Sequence, residues 1–134
     1  MLIVPLTGAA DNGVLDVNIE KMRNQKGTVH ACLTQAASTF PNCKADPAAI
    51  RLSQPASAGT HLQFKNVPPG DYALALIHDE DSNGKLDTVM KIPKEGFGFS
   101  GNPAIRMGPP KYESARFAIG SGANSQTVTM RYMF

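Results

Sequence analysis

His61-Leu62-Gln63-Phe64-Lys65-Asn66-Val67, then Pro68-Pro69-Gly70-Asp71, then Tyr72-Ala73-Leu74-Ala75-Leu76-Ile77 is the stretch whose reading decides the fold. Its first part alternates apolar and polar residues, with Leu62, Phe64 and Val67 facing one way, the period-two signature of a half-buried strand. Pro68-Pro69-Gly70-Asp71 is a tight turn, because proline fixes φ and glycine is free to take a positive one. The last part is apolar on both faces, as a central strand covered on both sides has to be.

Outward from this unit the same grammar repeats. Val14-Leu15-Asp16-Val17-Asn18-Ile19-Glu20 reads as a strand with Leu15, Val17 and Ile19 inward. Asn24-Gln25-Lys26-Gly27 is a turn, and Thr28-Val29-His30-Ala31-Cys32-Leu33-Thr34 is the returning strand of a hairpin. Ala48-Ala49-Ile50-Arg51-Leu52 fits a short strand or one helical turn. Ala115–Ile119 and Thr127–Tyr132 read as two further strands joined by a loop over Gly120–Ser125. No window carries a sustained helical period, and no internal repeat is visible. Short strands at near-regular spacing predict an all-β sandwich. The stretch between Asp79 and Ser114 breaks the rhythm: it is a long loop rich in glycine, proline and aromatics, the kind that is usually functional or held by an ion.

The chain has 134 residues, enough for one domain, which is expected to span 11–134. With 42% hydrophobic and 18% charged residues it can bury a core. Its formal charge is +2 and its basic residues are scattered, so nothing tracks a phosphate backbone and nucleic acid is not expected as a partner. Leu2-Ile3-Val4-Pro5-Leu6-Thr7-Gly8-Ala9-Ala10 is apolar and then small before the chain turns polar at Asp11. It reads as the back half of a secretory signal peptide cut after Ala10, the alternative being an apolar first strand. That predicts a periplasmic or secreted protein. No other segment approaches about 18 continuous apolar residues, so no transmembrane segment is expected. Cys32 and Cys43 flank an irregular loop, and an even cysteine count in an exported chain predicts a disulfide between them; two unrelated thiols are the alternative.

Asp79-Glu80-Asp81-Ser82-Asn83-Gly84-Lys85-Leu86-Asp87 fits D-x-D-x-N-G-x-x-D. Calcium needs six to eight hard oxygens, and this spacing offers Asp79, Asp81 and Asn83 side chains, the Lys85 carbonyl and Asp87 from one turn of chain, with Gly84 allowing the sharp bend. The twelfth position, a bidentate glutamate in an EF-hand, is Met90, and the preceding segment is a strand, so this is a similar loop on a β scaffold. Without that glutamate the site is weak unless Glu95 or Glu113 folds back onto it. The competing reading is a plain Asn83-Gly84 hairpin turn with solvated carboxylates at its tip. Against it, Asp79, Glu80, Asp81 and Asp87 would crowd one tip beside a single Lys85, a repulsion that a cation removes.

Farther on, Phe97 and Phe99 are interleaved with glycines and followed by Tyr112. They form either a flat surface on which a carbohydrate stacks or a plug for the open end of the sandwich. His78 beside Asp79 is the one pair from which catalysis could be argued, as a small metal-assisted hydrolase around His78 and Glu95. A lone histidine beside a carboxylate is more often structural, and no nucleophile motif accompanies it.

Three blocks, Phe64-Lys65-Asn66-Val67-Pro68-Pro69-Gly70-Asp71-Tyr72, His78–Asp87 and Pro93-Lys94-Glu95-Gly96-Phe97-Gly98-Phe99-Ser100, together resemble the bacterial domain of unknown function 2141 from about Val14 to Tyr132. The first block is also similar to the turn of transthyretin-like and carboxypeptidase-regulatory-like sandwiches. The resemblance implies an exported, seven-stranded antiparallel Greek-key sandwich of prealbumin type. It implies no catalytic residue, and it carries the acidic loop over as Asp79, Asp81, Asn83, Lys85 and Asp87. The expectation is a non-catalytic calcium-binding module, structural or ligand-binding, whose ligand is a carbohydrate or another cell-envelope component.

Overall fold

A computed structural model describes residues 11–82, 88–89, 92–93, 95–104 and 108–132, with the backbone alone at 88–89 and 92–93. Residues 1–10, expected as the signal-peptide remnant, lie outside the described residues.

The deciding stretch forms β4 (His61–Val67) and β5 (Gly70–Asp79). Leu62 and Phe64 are buried, as alternation requires, and Val67, three residues on, reaches the same core through a register shift at which Asn66 takes φ 56°. β5 is buried along most of its length because strands flank it, the three-stranded sheet covers its inner face, and Phe40, Tyr112 and Ala115 pack against Ala73 on the other. Yet β4 and β5 do not pair with each other. β4 pairs with β1 (Gly13–Glu20), while β5 pairs with β2 (Thr28–Thr34). Pro68-Pro69 is therefore a corner that carries the chain from one sheet to the other.

The three-stranded sheet runs β10-β1-β4, with β10 at Gly122–Thr129. The five-stranded sheet runs β3-β2-β5-β8, with β9 also on β5. Here β3 is Ile50–Pro55, β8 is Gly96–Phe99 and β9 is Phe117–Ile119. Thr88–Val89 (β6) and Ile92–Pro93 (β7) make a separate two-residue ladder, and Tyr112–Ala115 (α1) is a single helical turn. Leu15, Val17 and Ile19 of β1 meet Val29, Ala31 and Leu33 of β2 and Leu74 and Leu76 of β5 in one buried cluster between the sheets. The protein is an all-β sandwich, as the periodicity predicts.

Three expectations change. The β1–β2 hairpin does not form: the two strands lie in different sheets, and the 21–27 connection crosses between them. Both strands have one apolar face, and packing these faces against each other satisfies the pattern as well as pairing side by side. The sandwich is not antiparallel throughout, because β1 and β10 pair in parallel from Gly13↔Gly122 to Glu20↔Thr129. β10 enters this sheet from β9 in the other one, at the Gly13 end, and so runs with β1; side-chain alternation reads the same for either direction. Finally, Gly96-Phe97-Gly98-Phe99, expected as loop, is strand β8. Glycine is depleted in strands, but here it is required, since a Cβ on Gly98 would lie 2.6 Å from Val128 Cγ1.

Candidate metal centre

Strand alternation separates the two neighbours His78 and Asp79. His78 points toward the three-stranded sheet, where Nδ1 lies 2.7 Å from the Tyr132 hydroxyl and Nε2 lies 2.7 Å from the Lys26 carbonyl. A carbonyl only accepts, so Nε2–H donates to it, while Nδ1 is hydrogen-bonded to the Tyr132 hydroxyl. Both nitrogens of this buried ring thus have structural partners, Lys26 on the 21–27 connection and Tyr132 beyond β10. Asp79, the last residue of β5 and fully buried, faces outward and lies opposite Thr28 of β2.

The partner of Asp79 is a histidine that sequence reading passes over. His30 Nε2–H donates to Asp79 Oδ2 at 2.9 Å, and its Nδ1 lies 2.8 Å from Ser53 Oγ on β3. His30 pairs with Ile77, one pleat from Asp79 on the same face. Only the β2–β5 register brings the two together, and no local motif signals it.

Past β5 the chain turns: Ser82 N–H donates to the Asp79 carbonyl at 3.1 Å, and Ser82 takes φ 54°. Gly27, at φ +71°, passes so close beneath this turn that any Cβ there would strike the Asp79 carbonyl. The turn brings Asp81 back toward Asp79. Glu95, just before β8, arrives from the far end of the long loop, and its Oε2 accepts the Glu80 main-chain N–H at 2.7 Å. One carboxylate oxygen from each of Asp79, Asp81 and Glu95 lies within 4.8 Å of the others. Asp79 and Glu95 are buried and Asp81 is exposed, so the cluster opens to solvent on one side.

Glu80 stands between two of these acids and is drawn away from them. Arg23 donates to it through Nε, at 3.0 Å to Oε2, and through Nη2 to Oε1, while Asn24 donates to Oε2. The Arg23 hydrogen bond, followed by that from Asn24, holds the Glu80 carboxyl at about 2, against an ordinary 4.5. The same guanidinium lies 4.4 Å over the Tyr132 ring. Burial pushes the Tyr132 hydroxyl upward in pKa.

Of the expected calcium ligands, Asp79 and Asp81 converge, whereas Asn83, Lys85 and Asp87 lie outside the described residues. Glu95 joins them as the folded-back acid; Glu113 instead pairs with Arg116 at 3.2 Å on the surface. The aromatics expected as a stacking surface are turned into the molecule: Phe97 is 6% exposed and Tyr112 8%. Phe99 and Tyr112 meet the edge of Phe40, at centroid distances of 5.8 and 6.1 Å, and Tyr112 donates its hydroxyl to the Asp71 carbonyl. Phe97 and the half-buried Phe99 lie opposite Ile77 and Ala75, on the face of the five-stranded sheet away from the core between the sheets, and Phe40, Phe99 and Tyr112 cover that face at Ala73. Cys32 and Cys43 form the expected disulfide, with Cα atoms 6.4 Å apart.

Chemically, the cluster is a set of hard anionic oxygens, two of them buried. Bringing such carboxylates together is costly unless a cation or proton compensates. Oxygen-only donors suit calcium or magnesium rather than the metals that favour nitrogen and sulfur. Among the described residues no helix is long and apolar enough to cross a membrane.

The family model described as an uncharacterized protein conserved in bacteria (DUF2141) matches residues 17–127, and the chain belongs to that family. No curated protein and no solved structure matches it.

Proposed function

We propose that this member of the DUF2141 family is an exported, calcium-binding β-sandwich module that is non-catalytic and serves a structural or ligand-binding role. The observation that carries the reading is the convergence of Asp79, Asp81 and Glu95 within 4.8 Å at the mouth of the loop whose sequence has calcium spacing. Glu95 supplies from outside the loop the acid that Met90 fails to supply within it. Asn83, the Lys85 carbonyl and Asp87 complete an oxygen set of the size calcium requires. In this reading the ion ties Asp79 and Asp81, at the end of β5, to Glu95, just before β8. The site is expected to be weak, on the order of 10⁻⁴–10⁻³ M, which is filled outside cells and not within them.

Export is supported by the Cys32–Cys43 disulfide, because such bonds persist in oxidising compartments. The non-catalytic reading is supported by the commitment of both His78 nitrogens to structural partners. The test is calorimetric titration of chelator-stripped protein with calcium and, separately, magnesium. Saturable calcium binding with weaker magnesium binding is expected; no calcium heat up to about 10 mM, well above the expected range, removes the proposal.

A further inference from the structure

Residues 35–49 run as a strap between β2 and β3, and none of them is fully buried. The principal core draws nothing from the strap, and only Phe40 packs against the smaller cluster of Ala73, Tyr112 and Ala115. Thr39 Oγ1, within the strap, is the one buried side-chain polar atom among the described residues that has no hydrogen-bond partner. Among the described residues the polar ties from the strap to the sheet are three: Thr34 Oγ1–H donates to Asp46 Oδ2 at 2.6 Å, Ala36 N–H donates to Thr34 Oγ1 at 3.0 Å, and Arg51 Nη2 donates to the Cys43 carbonyl at 2.7 Å. A segment with so little burial is drawn from the low-stability end of a fold. Beside these ties stands one covalent link, the Cys32–Cys43 bond, which anchors the strap to β2.

We propose that this disulfide is a redox-operated clasp. Reduction by a dithiol, entering at Cys43, releases the strap and uncovers the Phe40–Phe99–Tyr112 cluster while both sheets stay folded. The entry side follows from access. Cys32 is 9% exposed and sits on β2 between β3 and β5, whereas Cys43 is less buried, in a surface 3-10 turn (Cys43–Ala45). A reductant thiolate attacks Cys43 Sγ, forming a mixed disulfide and expelling Cys32 as a thiolate, which takes up a proton. The second thiol of the reductant then closes on its own sulfur, leaving as an oxidised disulfide and freeing Cys43 as a thiol. Two electrons and two protons pass to the protein. The strands on either side of the clasp keep their pairing, because β2 is hydrogen-bonded to β3 and β5 along its length. The strap also supplies Gln35, Ala36, Asp46 and Ala48 to a hollow completed by Ile50, Pro68 and Tyr72, so its release reshapes that hollow.

Limited trypsin digestion of the full chain, with and without dithiothreitol, tests the clasp, because Lys44 lies exposed within the strap. Cleavage after Lys44 is expected to quicken roughly tenfold or more on reduction, as local opening exposes the backbone. Far-UV circular dichroism and a cooperative melt should persist in the reduced protein. Cys43→Ser should show the same fast cleavage without reductant. Equal cleavage at Lys44 in the oxidised and reduced proteins overturns the proposal, and so does loss of the β spectrum on reduction. With limiting glutathione, the first adduct located by peptide mass should be on Cys43; a first adduct on Cys32 overturns the entry side.

Discussion

Glu95 accepts the main-chain N–H of Glu80 at 2.7 Å, so a carboxylate from one end of the long loop caps the backbone at its other end. This bond makes Glu95 more than an acid that drifts near the cluster: one oxygen is fixed by the backbone, and a carboxylate oxygen lies within 4.8 Å of oxygens of Asp79 and Asp81. Glu95→Gln keeps a carbonyl oxygen for the Glu80 amide but removes the charge. The substitution should leave folding in chelator nearly unchanged and weaken calcium binding about tenfold or more, ~1.4 kcal/mol. Calorimetry on the two proteins checks it, and equal affinities would take Glu95 out of the ligand set.

Asp81 separates the ion reading from the plain turn. It is exposed, so Asp81→Ala should not open the core. If calcium binds only the folded loop, ten times Kd adds about 1.4 kcal/mol to stability, a shift of several degrees in Tm. Parent and variant should melt together in chelator and diverge as calcium is added, with magnesium doing less. A parent protein whose melting curve is the same in chelator and in millimolar calcium would falsify the ion site.

The legible part of this fold is the part written in side-chain alternation. Leu15, Val17, Ile19, Leu62 and Phe64 are all buried where period two places them, and the apolar run after Gly70 is central. The pattern is silent on which strands pair and in which direction, so it suggests a β1–β2 hairpin that does not form and gives no sign of the parallel β1–β10 ladder. It is also silent on glycine strands: Gly96 and Gly98 carry no apolar side chain to read, and their reason for being in β8 is the approach of Val128 from β10 and of Met130 and Tyr132 just beyond it. The site shows the same division. Asp79 and Asp81 are local in sequence and were visible in the motif. His30 needs the β2–β5 register, and Arg23 reaches Glu80 across 57 positions, a relation that no window contains.

The Arg23–Glu80 pair predicts a pH dependence. The Glu80 carboxyl is held at about 2 in the folded protein and titrates near 4.5 when free. A depressed carboxylate pKa adds stability that is fully present above the unfolded value and is lost as pH falls through the folded one. The window is therefore between about pH 4.5 and pH 2. Arg23 is 39% exposed and Glu80 19%, so solvent screening limits the contribution to about 1 kcal/mol. Urea melts of the parent and Glu80→Gln should differ by that amount at neutral pH and converge toward pH 2. A gap that stays constant from pH 5 to pH 2 would show that the pair contributes nothing through its charge.

Gly98 predicts the strongest single effect on stability. β8 packs its backbone against the inner side chains of β10 and the residue beyond it, and a Cβ built on Gly98 lies 2.6 Å from Val128 Cγ1 and 3.1 Å from Met130 Sδ. Val128 is fully buried in the principal core, so it cannot swing into solvent to make room. Gly98→Ala should therefore destabilise by about 1–3 kcal/mol, the usual range for overpacking, even though alanine is no worse than glycine as a strand residue. If the cause is that contact, the remedy is to shorten the partner. Val128→Ala alone should also destabilise, by about 1–2 kcal/mol, through the cavity it leaves. The double variant should then cost less than the two single changes added together, by about 1 kcal/mol, because the new methyl enters the space that the valine vacates. Chemical denaturation of the four proteins measures the cycle. Strict additivity would mean that β8 yields at its backbone instead of pressing on Val128, and that Gly98 is in the strand for a reason other than the close approach of the two sheets.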